Sequence, residues 1–164
     1  MGTGSPILQS GSVTPGHLAA FVTDGVAGDA GVAVPNLSGV LSSTIQSVNF
    51  NSANTDNPIT INLPVGFTRY RIHDILISGA SASCASATCG VFTQTGGLGT
   101  AVVTGGTAVT VSSTVPDAPN TMQSLTIVNQ NIVAWVDATL YFRVQNAQGL
   151  PATANVTINY EPLP

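Results

Sequence analysis

Three stretches between residues 58 and 162 alternate apolar and polar residues with a period of two. "PITINL" sets Ile59, Ile61 and Leu63 on one face and Thr60 and Asn62 on the other. "ATLYFRVQN" sets Leu140, Phe142 and Val144 inward and Tyr141, Arg143 and Gln145 outward. "TANVTINYEP" sets Ala154, Val156, Ile158 and Tyr160 against Thr153, Asn155, Thr157 and Asn159. Successive side chains of a strand point to opposite faces, so each stretch predicts a strand with one buried and one solvated face, as in antiparallel sheets. "FTRYRIHDILISG" is longer and breaks phase: Tyr70 and Ile72 share a face, while Ile75 and Ile77 fall on the other parity. One extra residue near His73-Asp74 restores the phase, which predicts a β-bulge there.

Weaker strand candidates are "SVNF" (47–50), "GVFTQ" (90–94), "TAVTVSS" (107–113), "QSLTIVN" (123–129) and "NIVAWVD" (131–137). Gly-Gly pairs at 96–97 and 105–106, and the segments around Pro64, Pro116, Pro119 and Pro151, read as turns. About eight or nine strands at this spacing predict an all-β fold: an antiparallel β-sandwich, jelly-roll-like, over residues 47–164. An immunoglobulin-like sandwich competes, but Cys84 and Cys89 are too close in sequence for its bridge between sheets. No repeat of solenoid or propeller period is present.

Residues 1–46 carry no strong periodicity. Thr14-Pro15 has the form of a helix start, which Gly16, Gly25 and Gly28 would soon stop. "NLSGVLSSTIQSV" (36–48) fits a short helix or a strand equally. The zone is nonetheless apolar, with Leu18, Phe21, Val22 and Val26 among its residues. The expectation is an extended N-terminal attachment arm that gains stability by laying these side chains on another surface.

Composition narrows the function. The chain has 164 residues, 43% hydrophobic and only 6% charged, with a formal net charge of -4. Its three basic residues are all arginines: Arg69, Arg71 and Arg143. Nucleic-acid binding needs a clustered basic patch, and none is written here. No polybasic segment attracts the chain to anionic membranes, and no apolar run reaches the roughly 18 residues of a membrane span. "MGTGSPILQS" lacks the charged and apolar regions of a secretory signal, so synthesis in a cytoplasm is expected.

Candidate chemistry is sparse. The titratable groups are Asp24, Asp29, Asp56, Asp74, Asp117, Asp137, Glu161, His17 and His73. No serine sits in a G-x-S-x-G elbow, and no catalytic set is expected. His73 and Asp74 would point to opposite faces of a strand unless the bulge intervenes. "DGVAGDAG" resembles a calcium loop only in its two aspartates, Asp24 and Asp29, and has no closing glutamate. "GGLGTAVVTGG" lacks the Lys-Ser/Thr ending of a P-loop. No metal and no cofactor are expected. Trp135 lies in an apolar run and reads as core. Cys84 and Cys89 are either two buried or loop thiols or a disulfide closing a short loop, worth about 2 kcal/mol from loop-closure entropy.

Sheet proteins protect exposed strand edges with lysine, other charges or proline. This chain has no lysine, so neighbouring subunits are expected to cover its edges.

"SGSVTPGHLAAFVTDGVAGDAG" (10–31) resembles an N-terminal segment of virion structural proteins of tailed bacteriophages, through Pro15-Gly16-His17-Leu18, Asp24-Gly25 and Asp29-Ala30-Gly31. The resemblance implies a capsid decoration (cement) or head-fibre protein on the capsid exterior. It would bind the major capsid protein through arm residues His17, Leu18, Phe21, Val22, Asp24, Val26 and Asp29, and associate with itself as a homotrimer. The alternative is a receptor-binding or adhesin module that recognises host-surface glycan through loops such as 79–90 and 95–106.

Overall fold

The structure is a computed structural model. It describes the backbone of residues 8–9, 17–23 and 26–33, and backbone with side chains for 39–112, 122–129 and 134–163. The chain divides into two compact units: Met1–Ser38 with Pro64–Gly66, and Gly39–Leu63 with Phe67–Pro164.

In the first unit β1 (Leu8–Gln9), β2 (His17–Thr23) and β3 (Val26–Ala33) form a sheet of order β1-β3-β2. β2 and β3 are antiparallel, and β1 runs parallel to β3. Where the sequence pointed to a short helix after Thr14-Pro15, the described chain from His17 onward is strand. The segment expected to run as a single extended arm pairs its own backbone. Alternation is invisible in β3, "VAGDAGVA", because alanine and glycine mark neither a core face nor a solvent face.

Among its described residues the second unit contains eight strands: β4 (Leu41–Asn49), β5 (Thr55–Thr60), β6 (Arg69–Ser78), β7 (Thr88–Gln94), β8 (Leu98–Ala108), β9 (Met122–Ser124), β10 (Thr139–Asn146) and β11 (Thr153–Leu163). They form two four-stranded antiparallel sheets, β4-β11-β6-β9 and β5-β10-β7-β8. The pairing is nested. β7 pairs β8, and around it β6 pairs β9, β5 pairs β10 and β4 pairs β11. That is one long hairpin wound upon itself into two packed sheets, the jelly roll. The ambiguous segment 36–48 resolves as strand from Leu41.

The three alternating stretches place their inward side chains as expected, except that Leu63, beyond the end of β5, is only partly buried. Ile59, Ile61, Leu140, Phe142, Val144, Ala154, Val156, Ile158 and Tyr160 are all buried. They meet Tyr70, Ile75, Ile77 and Val91 in one core. Phe50 and Phe142 stack edge to face at 5.8 Å, as do Tyr70 and Tyr160 at 5.6 Å. Trp135 is buried and pairs its backbone with Tyr70. Among the described residues no polar or charged residue is buried. The two tyrosine hydroxyls reach the rim: Tyr70 donates to the Asp137 carbonyl at 2.7 Å and Tyr160 to the Asn62 carbonyl at 3.0 Å.

The bulge in β6 is present. Asn159 pairs with Asp74 and the next residue, Tyr160, with Ile72, so His73 is the extra residue. Ile72 and Ile75 are both buried while His73 and Asp74 both face outward.

Four expected elements differ. The stretch 95–106, expected as turns and loop, is a 3-10 turn (Thr95–Gly97) followed by β8. Its glycines accommodate bulges within the strand: Gly99 and Gly106 have φ of 72° and 82°, and β8 shifts register against β7 three times. "TAVTVSS" is strand only to Ala108. Val109 and Val111 then bond to the loop through Ala87 and Cys84. "QSLTIVN" is strand only to Ser124, because the chain there changes sheets: the Leu125 N–H donates to Ile75 in one sheet and that of Val128 to Val102 in the other. Within 131–137, only Trp135 makes a β-bridge among the described residues.

Candidate functional site

The residues expected to attach the chain fall on two paired strands. His17, Leu18, Phe21 and Val22 lie on β2, and Val26 and Asp29 on β3. The register sets His17 opposite Ala33, Asp29 opposite Ala19, Phe21 opposite Ala27 and Val26 opposite Thr23. Asp24 lies outside the described residues.

Cys84 and Cys89 are both free and buried. Burial pushes the Cys89 thiol up to about 12 and raises that of Cys84 as well. A thiol held protonated is a poor nucleophile and a poor metal ligand. Both side chains behave as small core residues.

The edge strands are managed within the chain. β4 carries a bulge at Gln46-Ser47, where Ser47 has φ 54° and its N–H donates to the Asn155 side chain at 3.0 Å. β5 contains Pro58, and β9 has three residues. β8 is partly covered by 122–129: its carbonyls at Ala101, Val102 and Ala108 accept from Asn129, Val128 and Gln123. These are the usual protections of an edge, made without lysine.

Charge sits in two places on the outer faces. On β5-β10, Arg143 Nη1 bonds Asp56 at 2.8 Å and Nη2 bonds the Asn54 side chain at 3.0 Å. The second Asp56 oxygen accepts the Gly96 N–H at 2.8 Å. On β6-β11, the Glu161 carboxylate lies 3.9 Å from Arg71 and 3.5 Å from His73. Asp74, brought to the same face by the bulge, accepts from the Asn159 amide at 2.7 Å. His73 and Asp74 line a shallow cavity of about 400 Å³ with Ser124, Leu125, Thr126 and Ile127. Neither hydroxyl of this wall, Ser124 or Thr126, makes a hydrogen bond to the imidazole.

A second cleft, of about 480 Å³, lies between the edge strands of the two sheets. Ser42–Gln46 of β4 form one wall, and Pro58–Thr60 of β5 with Asn62 the other. Ser43 Oγ donates to the Thr60 carbonyl at 2.7 Å and ties the edges together. No charged residue lines it. Sequence reading did not single out this cleft, because its walls become neighbours only when β4 and β5 enter different sheets.

No protein family matches the chain, and no curated protein and no solved structure matches it.

Proposed function

We propose that the chain is a structural protein of a tailed-bacteriophage virion. It decorates the capsid exterior as a cement or head-fibre protein, holding the major capsid protein through its N-terminal unit and associating with copies of itself as a trimer. The observation that carries this reading is the division of the chain at Ser38. That division sets the segment resembling phage virion proteins, residues 10–31, in a unit of its own, apart from the unit that holds the sandwich. Among the residues whose side chains are described, the buried hydrophobic core runs from Val48 to Tyr160. The jelly roll adds support by analogy only, since it recurs in viral capsid and lectin domains and a fold alone fixes no function. With the strand edges capped internally, copies associate through side-chain surfaces, and the loosely held Arg71–His73–Glu161 cluster is the charged one.

Co-sedimentation with undecorated capsids tests the reading. The full chain is expected to pellet with capsids. A chain beginning at Gly39 is expected to stay in solution with its sandwich folded. Normal decoration by the shortened chain would refute attachment through the first unit.

A further inference from the structure

The cleft between β4 and β5 has a chemistry of its own. Ser42, Gln46, Thr60 and Asn62 line it, and none of their side chains has a hydrogen-bond partner among the described residues. Together they offer two hydroxyls and two carboxamides, each able to donate and to accept. The exposed ring of Pro58 supplies a patch of C–H surface on the same wall. The nearest charge along β5, Asp56, is committed to Arg143 and Gly96. A site that mixes donors with acceptors, offers a small apolar patch and carries no charge matches a ligand with the same properties: a sugar ring with neutral hydroxyls. The volume falls within the usual range of small-molecule clefts.

A peptide strand is the competing occupant, because the cleft runs along two sheet edges. The backbone argues against it. The bulge at Gln46-Ser47 interrupts the β4 edge, and Pro58 offers no N–H on β5. A continuous ladder along either edge is broken near its middle. Recognition there falls to side chains. An acidic sugar would bring a carboxylate that no residue of the cleft pairs, at a desolvation cost.

From these features we infer that the β4–β5 cleft binds a neutral saccharide, a mono- or disaccharide unit of a surface polysaccharide. The inference goes beyond capsid attachment and does not depend on it.

The test is a titration of the full chain, followed by backbone amide NMR, with maltose, lactose and N,N′-diacetylchitobiose as neutral probes and digalacturonate as the acidic one. At least one neutral probe is expected to shift the amides of residues 42–46 and 60–62, with digalacturonate leaving them in place. Gln46→Ala and Asn62→Ala are each expected to weaken binding by about 2- to 10-fold, the loss of one or two hydrogen bonds. Both side chains are exposed, so the rest of each spectrum should keep its native dispersion. Met122→Ala, at an exposed position on β9 outside the cleft, is expected to leave the affinity unchanged. The inference is overturned if no neutral probe moves these amides, if digalacturonate moves them as strongly, or if they shift with protein concentration alone, the mark of pairing between copies. None of these outcomes bears on whether the first unit holds a capsid.

Discussion

Arg143 and Arg71 occupy equivalent positions. Each faces outward from a strand inside its sheet, and each stands in register with an acid on the next strand: Arg143 opposite Asp56, Arg71 opposite Glu161. The outcomes differ. Arg143 is 2.8 Å from its acid, and the two side chains are 13% and 20% exposed. Arg71 stands 3.9 Å from its acid, with 50% and 29% exposed. The cause lies above the sheet. The 3-10 turn Thr95–Gly97 folds over the first pair, the Gly96 N–H bonds the second oxygen of the acid, and Asn54 accepts from the second terminal nitrogen of the guanidinium. Nothing among the described residues covers the second pair, and Glu161 is shared with His73. Opposite charges in register are thus only an opportunity. A covering segment turns them into a fixed ion pair, and without one they remain open to another molecule.

The largest expected effect comes from breaking the closed network. Arg143→Ala leaves Asp56 half-covered and costs about 2 kcal/mol in urea unfolding, after allowance for partial exposure. A double-mutant cycle of Arg143 with Asp56 should give a coupling above about 1 kcal/mol, and that of Arg71 with Glu161 a coupling near zero.

Alkaline pH probes the interior, where neither pair reaches. The folded chain holds Cys89 protonated up to about 12, so the unfolded chain releases that proton first. Its contribution to stability is complete below the ordinary thiol value, about 8.5. It declines as pH rises toward 12, by up to about 1.4 kcal/mol per pH unit. A Cys89→Ala chain is less stable at pH 7, and its urea midpoint should fall less steeply between pH 9 and pH 11. In thiol labelling at pH 8, both cysteines should react only after unfolding.

A smaller effect tests the cover itself. Gly97 has φ 75°, and an added Cβ would lie 3.4 Å from Arg143 Cδ. Gly97→Ala should cost about 1 kcal/mol and loosen the turn over the ion pair. The smallest effect belongs to the open cluster: Glu161→Gln is expected to change stability by less than about 0.5 kcal/mol, read by the same urea titration.

Much of the sandwich was legible in the sequence because period-2 alternation survives wherever one face is buried and the other wet. It gave β5, β10 and β11 their inward faces, and the phase break at His73-Asp74 located the bulge in β6. β8 was read as turns because glycine marks a bend inside a strand as readily as a turn between strands. The corner after Ser124 keeps apolar residues without keeping a ladder, so it read as strand. The sites were less legible still. Arg143 and Asp56 are 87 residues apart, and the cleft joins side chains of two different sheets. Both depend on which strands pair, and alternation within one strand does not carry that information. In β2 and β3 the small residues erased the signal altogether.

A reconstruction of capsids bearing the full chain tests the central claim most directly. The account predicts the first unit, His17–Thr23 and Val26–Ala33, in contact with the shell, and the jelly roll standing clear with the β4–β5 cleft open to solvent. A jelly roll seated on the shell through its sheets, with the first unit pointing away from it, would contradict the account.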